Sequence, residues 1–516
     1  MKTFGSARLV KSVRFAGSLL FACTLMPAVA LRAQEPDQAT QIQQLQQQLR
    51  KLQENFEETL RQQRQQIEAL QKQIDALQAK TPAGATSPPP VATSPPPATA
   101  SPPPAESGPP KEVSQAQETK PAWSPTSPIT LIGGQRSYLN LSFDALFAAG
   151  SSTADDIPHL QLGGHDPVQR GFTAQNLETV FEGYVDPYFR GQASLVGHIA
   201  PDGDFHFEAE EAYLETIALP ANLQVKAGQF LTEFGRINPT HPHTWSFVDA
   251  PLVVGRFLGA EGLRNPGARV SWIAPTPFYS ELFFAVQNSQ GATAYSFRGS
   301  GHSHDHEGND LIFGRERIER ETDHLGDMLF TPRYAVSFDL TENQTLLVGA
   351  SATFGPNNTG QDTDTQIFGM DFLWKWKSPR HHAGFPFVAW QTEVMARRFE
   401  AGAFAFDENG DGMPEVDLPR ETLWDYGLYS QLTWGFQKGW VVGLRGDWVS
   451  GERGAFYPDP DRDTRWRISP NLTWYPTEFS KLRLQYNYDD RENIGVDHSV
   501  WLQFEFMLGA HAAHKF

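Results

Sequence analysis

The run KLRLQYNYDD, from Lys481, puts Leu482, Leu484, Tyr486 and Tyr488 on one side of an extended chain, and Arg483, Gln485, Asn487 and Asp489 on the other. A period of two marks a strand with one apolar and one polar face. The same alternation closes the sequence, in SVWLQFEFMLGAHAAHKF. Val500, Leu502, Phe504, Phe506 and Leu508 share one face, and Trp501, Gln503, Glu505 and Met507 the other. It returns in YLNLSFDALF from Tyr138, YAVSFDL from Tyr334, QIFGMDFLWKW from Gln366 and DYGLYSQLTW from Asp425. In RWRISPNLTWYP, Ile468, Leu472 and Trp474 oppose Arg467, Asn471 and Thr473. A soluble sandwich has no need of so many strands near ten residues with Trp and Tyr at their ends. A transmembrane barrel requires both, with its apolar face on lipid and its polar face on the lumen. The expectation is an all-β transmembrane barrel of about 16 antiparallel strands across 129–516. Tight connections such as 186–188 and 477–480 alternate with long ones at 232–266, 289–331 and 400–422, as short periplasmic turns and long external loops do.

Three other segments precede the barrel. Residues 1–33 carry Lys2, Arg8, Lys11 and Arg14, then an apolar run broken by Pro27, then small residues, the layout of a secretory signal peptide. Cys23, the only cysteine, lies within it, so the mature chain offers no disulfide or thiolate metal site. Residues 34–80 place Ile42, Leu45, Leu49, Leu52, Phe56, Leu60, Ile67, Leu70, Ile74 and Leu77, with polar Gln63 between Leu60 and Ile67, at spacings of three and four, the seam of an α-helical coiled coil. Such a helix cannot hide its stripe alone; self-association, with a homo-trimer first in order, is the expectation, and a single amphipathic helix on a surface is the alternative. Residues 81–128 repeat SPPP every seven residues and form a polyproline linker without a core.

Residues 129–516 hold 29 Lys and Arg against 50 Asp and Glu, a formal charge of −21. That balance argues against nucleic acid as a partner. Export and a barrel point to the bacterial outer membrane, with the coiled coil and linker in the periplasm, where a cell-wall or periplasmic partner is within reach. Lipid is then the main environment. Phe516 resembles the C-terminal aromatic that barrel assembly machinery recognises.

A coiled coil, a linker and a barrel of this size together resemble the porin families with N-terminal coiled coils, including the phosphate-selective porin-like group. The stretch GQFLTEFGRINPTHPHTWSFVDAPLVVGRFLGAEGLRNPGARVSWIAP (Gly228–Pro275) and the ending LGAHAAHKF resemble a zinc-regulated TonB-dependent outer-membrane receptor-like group. A receptor of that type implies a globular plug ahead of the barrel. Neither a coiled coil nor polyproline forms one, so a passive or ligand-gated pore is expected.

Candidate sites fall into three sets. His302, His304 and His306 alternate in GSGHSHDHEGND with Asp305 between them, and His241 and His243 sit in NPTHPHTW. Imidazole with carboxylate suits zinc, copper or nickel in external loops, a solvated loop tip being the alternative. Asp407, Asn409 and Asp411 in DENGDG match the start of a calcium loop, although its twelfth position is Leu418 rather than Glu. No cofactor is required. In the lumen, Glu178, Glu182, Glu208, Glu210 and Glu393 are expected to oppose Arg190, Arg269, Arg445, Arg467 and Arg483, setting a transverse field that tunes selectivity. The loop 232–266, rich in Gly, Pro and aromatics, is expected to fold inward as a constriction. There is no G-x-S-x-G or H-E-x-x-H motif, and no enzyme is expected. The functional expectation is a porin-like channel for small solutes or ions; the alternative is a barrel-anchored tether or adhesin without an open pore.

Overall fold

The computed structural model describes residues 129–133, 138–184, 186–199, 203–299, 311–406 and 414–509. The signal peptide, coiled coil and linker expected at 1–128 lie outside the described residues, as do His302, His304, Asp305, His306, Asp407, Asn409, Asp411 and Phe516.

Sixteen long strands form the barrel: β1 Tyr138–Ser152, β2 Gly171–Tyr184, β3 Phe189–Ile199, β4 Phe205–Thr216, β5 Leu223–Leu231, β6 Arg264–Ile273, β7 Tyr279–Gln287, β8 Leu329–Thr341, β9 Gln344–Pro356, β10 Asp364–His382, β11 Phe385–Ala401, β12 Glu421–Gln437, β13 Trp440–Gly451, β14 Arg465–Thr477, β15 Ser480–Arg491 and β16 Gly495–Leu508. Each pairs antiparallel with its neighbours in sequence, and β16 returns to β1 with Leu146 opposite Glu505 and Ala149 opposite Leu502. Closure leaves no unpaired edge, which lets strands cross hydrocarbon. A short strand, Ile129–Gly133, pairs with the start of β1.

The alternation sorts cleanly into two faces. On β15, Leu484 is 51% exposed while Arg483 is 1%. On β16, Val500, Leu502, Phe506 and Leu508 face outward, and Trp501, Gln503 and Glu505 are buried inside. Exposed Val270, Phe284, Met370, Val394, Leu444 and Ile468 continue the outer belt around the ring. So much contiguous apolar surface does not persist in water, so it faces lipid. Cross-strand aromatics reinforce the belt: Trp440 stacks on Trp474 at 5.8 Å and Tyr138 meets Tyr184 edge-on at 5.0 Å.

The two ends differ. At the end where β1 starts, four connections are only two residues long (342–343, 383–384, 438–439 and 478–479). Ala383 and Gly384 both have positive φ, the requirement of a tight turn matched to strand twist. At the other end the loops are long and carry two small hairpins, Leu311–Ile312 with Arg315–Glu316 and Phe404–Phe406 with Val416–Leu418. Several strands outrun the expected span: β10 has 19 residues and β11 17, and their ladder continues at the short-turn end to His382 opposite Phe385.

Candidate functional site: a loop pinned across the lumen

Residues 232–263 connect β5 to β6 and turn into the barrel, where they meet three parts of the wall. On β11, the Glu393 carboxylate accepts the backbone N–H groups of Arg236 (3.0 Å) and Ile237 (2.9 Å) and the Tyr429 hydroxyl (2.6 Å). On β2 and β4, His241 meets Glu210 at 2.7 Å, Glu211 at 3.1 Å and Glu178 at 3.3 Å, and His243 meets Glu178 at 3.0 Å. On β13–β15, Asp249 pairs with Arg445 (2.6 Å) and Arg467 (3.0 Å) and accepts bonds from Gln485 (2.9 Å) and Asn487 (2.6 Å). β11 stands seven strands from β2 in a ring of sixteen, so the loop spans nearly the full width.

The loop therefore carries charges complementary to each wall. Imidazoles face the acidic side and a carboxylate faces the basic side. Arg445 and Arg467 are tied further to Asp447 and Asp489, at 2.7 and 2.9 Å. All of these groups are buried, and such charges persist only when paired and hydrogen-bonded.

Beside the polar anchors sits an apolar plug. Helix Leu252–Leu258 is buried along its whole length, against Ile367, Met395, Tyr429 and Val449 of the wall. Gly427 makes room for it, since a Cβ there would lie 2.6 Å from Val253 Cγ2. The Arg397 guanidinium lies between the rings of Phe257 (4.9 Å) and Phe313 (4.7 Å) and pairs with Asp425 at 2.8 Å. Toward the short turns a vestibule of about 1110 Å³ is lined by Ser246, Lys375, Thr433, Thr473 and Arg483. Toward the long loops a cavity of about 160 Å³ is lined by Gln161, Arg256, Asp461 and Arg465. Asp249, Arg467, Gln485 and Asn487 lie between them with no water exposure. The inward loop borders both spaces, through Ser246 on the first and Gly255 and Arg256 on the second.

At the long-loop end, burial opposes charge on His165, but the Glu261 carboxylate 3.3 Å away overrides it and holds the imidazole up at about 10. Asp459, in the loop between β13 and β14, is pushed up to about 7 by burial and then by the negative charge of Asp461.

An uncharacterized protein of Aquifex aeolicus (strain VF5) is 30% identical over 412 residues, 73% of this chain and 79% of that protein. The chain belongs to the same family as that protein. No family model matches it. Among solved structures, the outer membrane channel DcaP of Acinetobacter baumannii covers 73% of this chain and 99% of its own, with 11% identity and a TM-score of 0.45. An anion-selective porin from Comamonas acidovorans covers 72% and 100%, with 8% identity and a TM-score of 0.42.

In this family member, Glu178, Glu210, Glu393, Arg269, Arg445, Arg467 and Arg483 turn inward and are buried. Arg190 pairs with Glu182 at 3.1 Å and Glu208 with Arg264 at 2.8 Å, while Arg269 meets Glu233 at 2.6 Å. The acidic and basic rows do not face each other across open water as expected. The loop stands between them, and Arg445 and Arg467 find carboxylates on it and on their own wall. His241 and His243 correct the external-loop expectation: they are buried in the lumen, drawn in by the glutamates of β2 and β4.

Three residues escaped the sequence reading. Glu211 should face lipid by strict alternation, but a bulge opposite Ser194 and Leu195 turns both Glu210 and Glu211 inward. The adjacent acids of EAEEAY, which break the period, were the available signal. Asp249 sits between Val248 and Ala250 in the loop, with no periodicity to place it. Asp144 is register partner of Glu178 and wholly buried.

Proposed function

We propose that the protein is an outer-membrane channel for small solutes or ions, gated by the loop 232–263. The observation that carries this is the way the loop is held. Its anchors are ion pairs and hydrogen bonds to opposite walls, so it closes the lumen as a docked element rather than as part of the barrel ladder. A static anchor has no need of a vestibule lined by Lys375 and Arg483 that ends on this loop. The lipid-facing belt supports placement in the outer membrane, and the secretory N-terminus supports export. The seam from Ile42 to Leu77 supports a trimer through a periplasmic coiled coil. The phosphate-selective porin-like and receptor-like resemblances remain narrower readings within this one. The acidic total favours cations, while the arginines of β13–β15 give one wall the opposite sign.

Planar-bilayer recording of the refolded chain tests the proposal. The expected result is low, intermittent conductance that becomes steady and larger when 236–258 is replaced by a short Gly/Ser link. A well-folded, loop-deleted barrel that passes no current contradicts it and favours the tether alternative.

A further inference from the structure

The loop's attachment to the acidic wall has the make-up of a metal site. Glu178, Glu210 and His241 are all buried and each offers a ligand atom within 4.8 Å of the other two, with His241 Nδ1 3.3 Å from Glu178 Oε1 and 2.7 Å from Glu210 Oε2. A tetrahedral zinc with bonds near 2.1 Å spaces its ligands by about 3.4 Å, within reach of small side-chain rotations. The other ring nitrogen, Nε2, is 3.1 Å from Glu211 Oε2. A ligating histidine commonly donates its second N–H to a carboxylate in this way. His243 Nδ1, 3.0 Å from the other oxygen of Glu178, stands next in line as a fourth ligand.

A second observation points the same way. Asp144, beside Glu178 in the ladder, is fully buried, and neither of its carboxylate oxygens has a hydrogen-bond partner. Four carboxylates thus converge on two imidazoles, with Arg264 reaching Glu210 only at 3.5 Å. The set His165, Glu208 and Glu261 differs, because Arg264 already neutralises Glu208 at 2.8 Å.

We propose that Glu178, Glu210 and His241 bind one divalent transition-metal ion, zinc by ligand type, with His243 as fourth ligand, clamping the lumen loop to β2 and β4. Mixed imidazole and carboxylate donors favour zinc over magnesium or calcium, which prefer oxygen alone. The site deepens the gated-channel reading but stands on the loop's position rather than on conductance.

The test uses the full chain in detergent with H302A, H304A and H306A together, so that the histidine-rich tract GHSHDH contributes nothing. After chelator treatment, zinc loading and dialysis, one zinc per chain is expected. Its X-ray absorption spectrum should show imidazole nitrogen and carboxylate oxygen. Glu211→Gln should weaken binding about 10- to 100-fold, and Glu178→Gln more, with the barrel's heat-modifiable gel mobility kept. No retained zinc, or affinity unchanged in Glu178→Gln, overturns the site. So does an anomalous scattering peak elsewhere in a crystal of the loaded chain. Zinc bound here by a barrel that never conducts would leave this site standing and remove the channel reading; a conducting barrel without zinc would do the reverse.

Discussion

Asp249→Asn should release the loop from the basic wall. Asp249 is fully buried and is the shared partner of Arg445 and Arg467, with Gln485 and Asn487 on the same carboxylate. Asparagine keeps the shape but removes the charge that both guanidiniums face. Removing one partner of a buried ion pair costs about 3–5 kcal/mol, because the opposite charge is left uncompensated. Asp447 and Asp489 still hold one contact to each arginine, which argues for the lower end of that range. At about 1.4 kcal/mol per tenfold, 3 kcal/mol shifts the pinned-to-released ratio by roughly a hundredfold. Two readouts check this. Single-channel open probability should rise by that order. A cysteine placed at buried Val248, with Cys23 replaced by serine, should become correspondingly more reactive to a water-soluble thiol reagent. If both readouts match the parent chain in a folded barrel, Asp249 does not hold the loop.

Two further outcomes follow from other parts of the molecule. Leu484→Arg, on the outer belt, should destabilise the barrel in lipid by about 2–4 kcal/mol if it lies at the bilayer midplane, measured by denaturant unfolding in vesicles; Leu484 is 51% exposed, so a soluble-surface reading predicts almost no effect. The loop 452–464 should loosen as pH rises. Asp459 binds its proton more tightly folded than unfolded, so its contribution is fully present below the ordinary carboxylate range and is lost as pH climbs toward about 7. The limit is about 4 kcal/mol, from some three pH units at 1.36 kcal/mol each. Hydrogen exchange at Arg462 and Asp463, whose N–H groups donate to the Asp459 carbonyl, should accelerate beyond the intrinsic rate in the native chain and not in Asp459→Asn.

Much of the barrel was legible because lipid and lumen impose opposite demands on successive residues. Leu484 and Arg483 declare their faces by parity alone, and the alternation of long and short connections orients the ring. Parity fails where the ladder does. The bulge in β4 turns Glu211 inward, which no count by twos foresees, and that one residue completes the setting of His241. The inward fold of 232–263 was expected from its length and composition, but its partners were not. Asp249, His241 and His243 find residues hundreds of positions away in some cases, and such contacts follow from closure of the ring rather than from local pattern. His241 shows the limit: its loop was expected to turn inward, but only closure of the barrel brings the glutamates of β2 and β4 around it.

The central claim is that the loop's position in the lumen sets the flow through the barrel. A reversible lock tests it most directly. Ser246 lies on the loop, and its carbonyl accepts a 2.9 Å bond from Asn471 on β14, so cysteines at these two positions in a C23S background join the loop to the wall. With the disulfide formed, conductance should stay at its closed level, and a reductant added to the same bilayer should bring opening events back. Equal conductance before and after reduction, with the cross-link verified on a gel, would contradict the account.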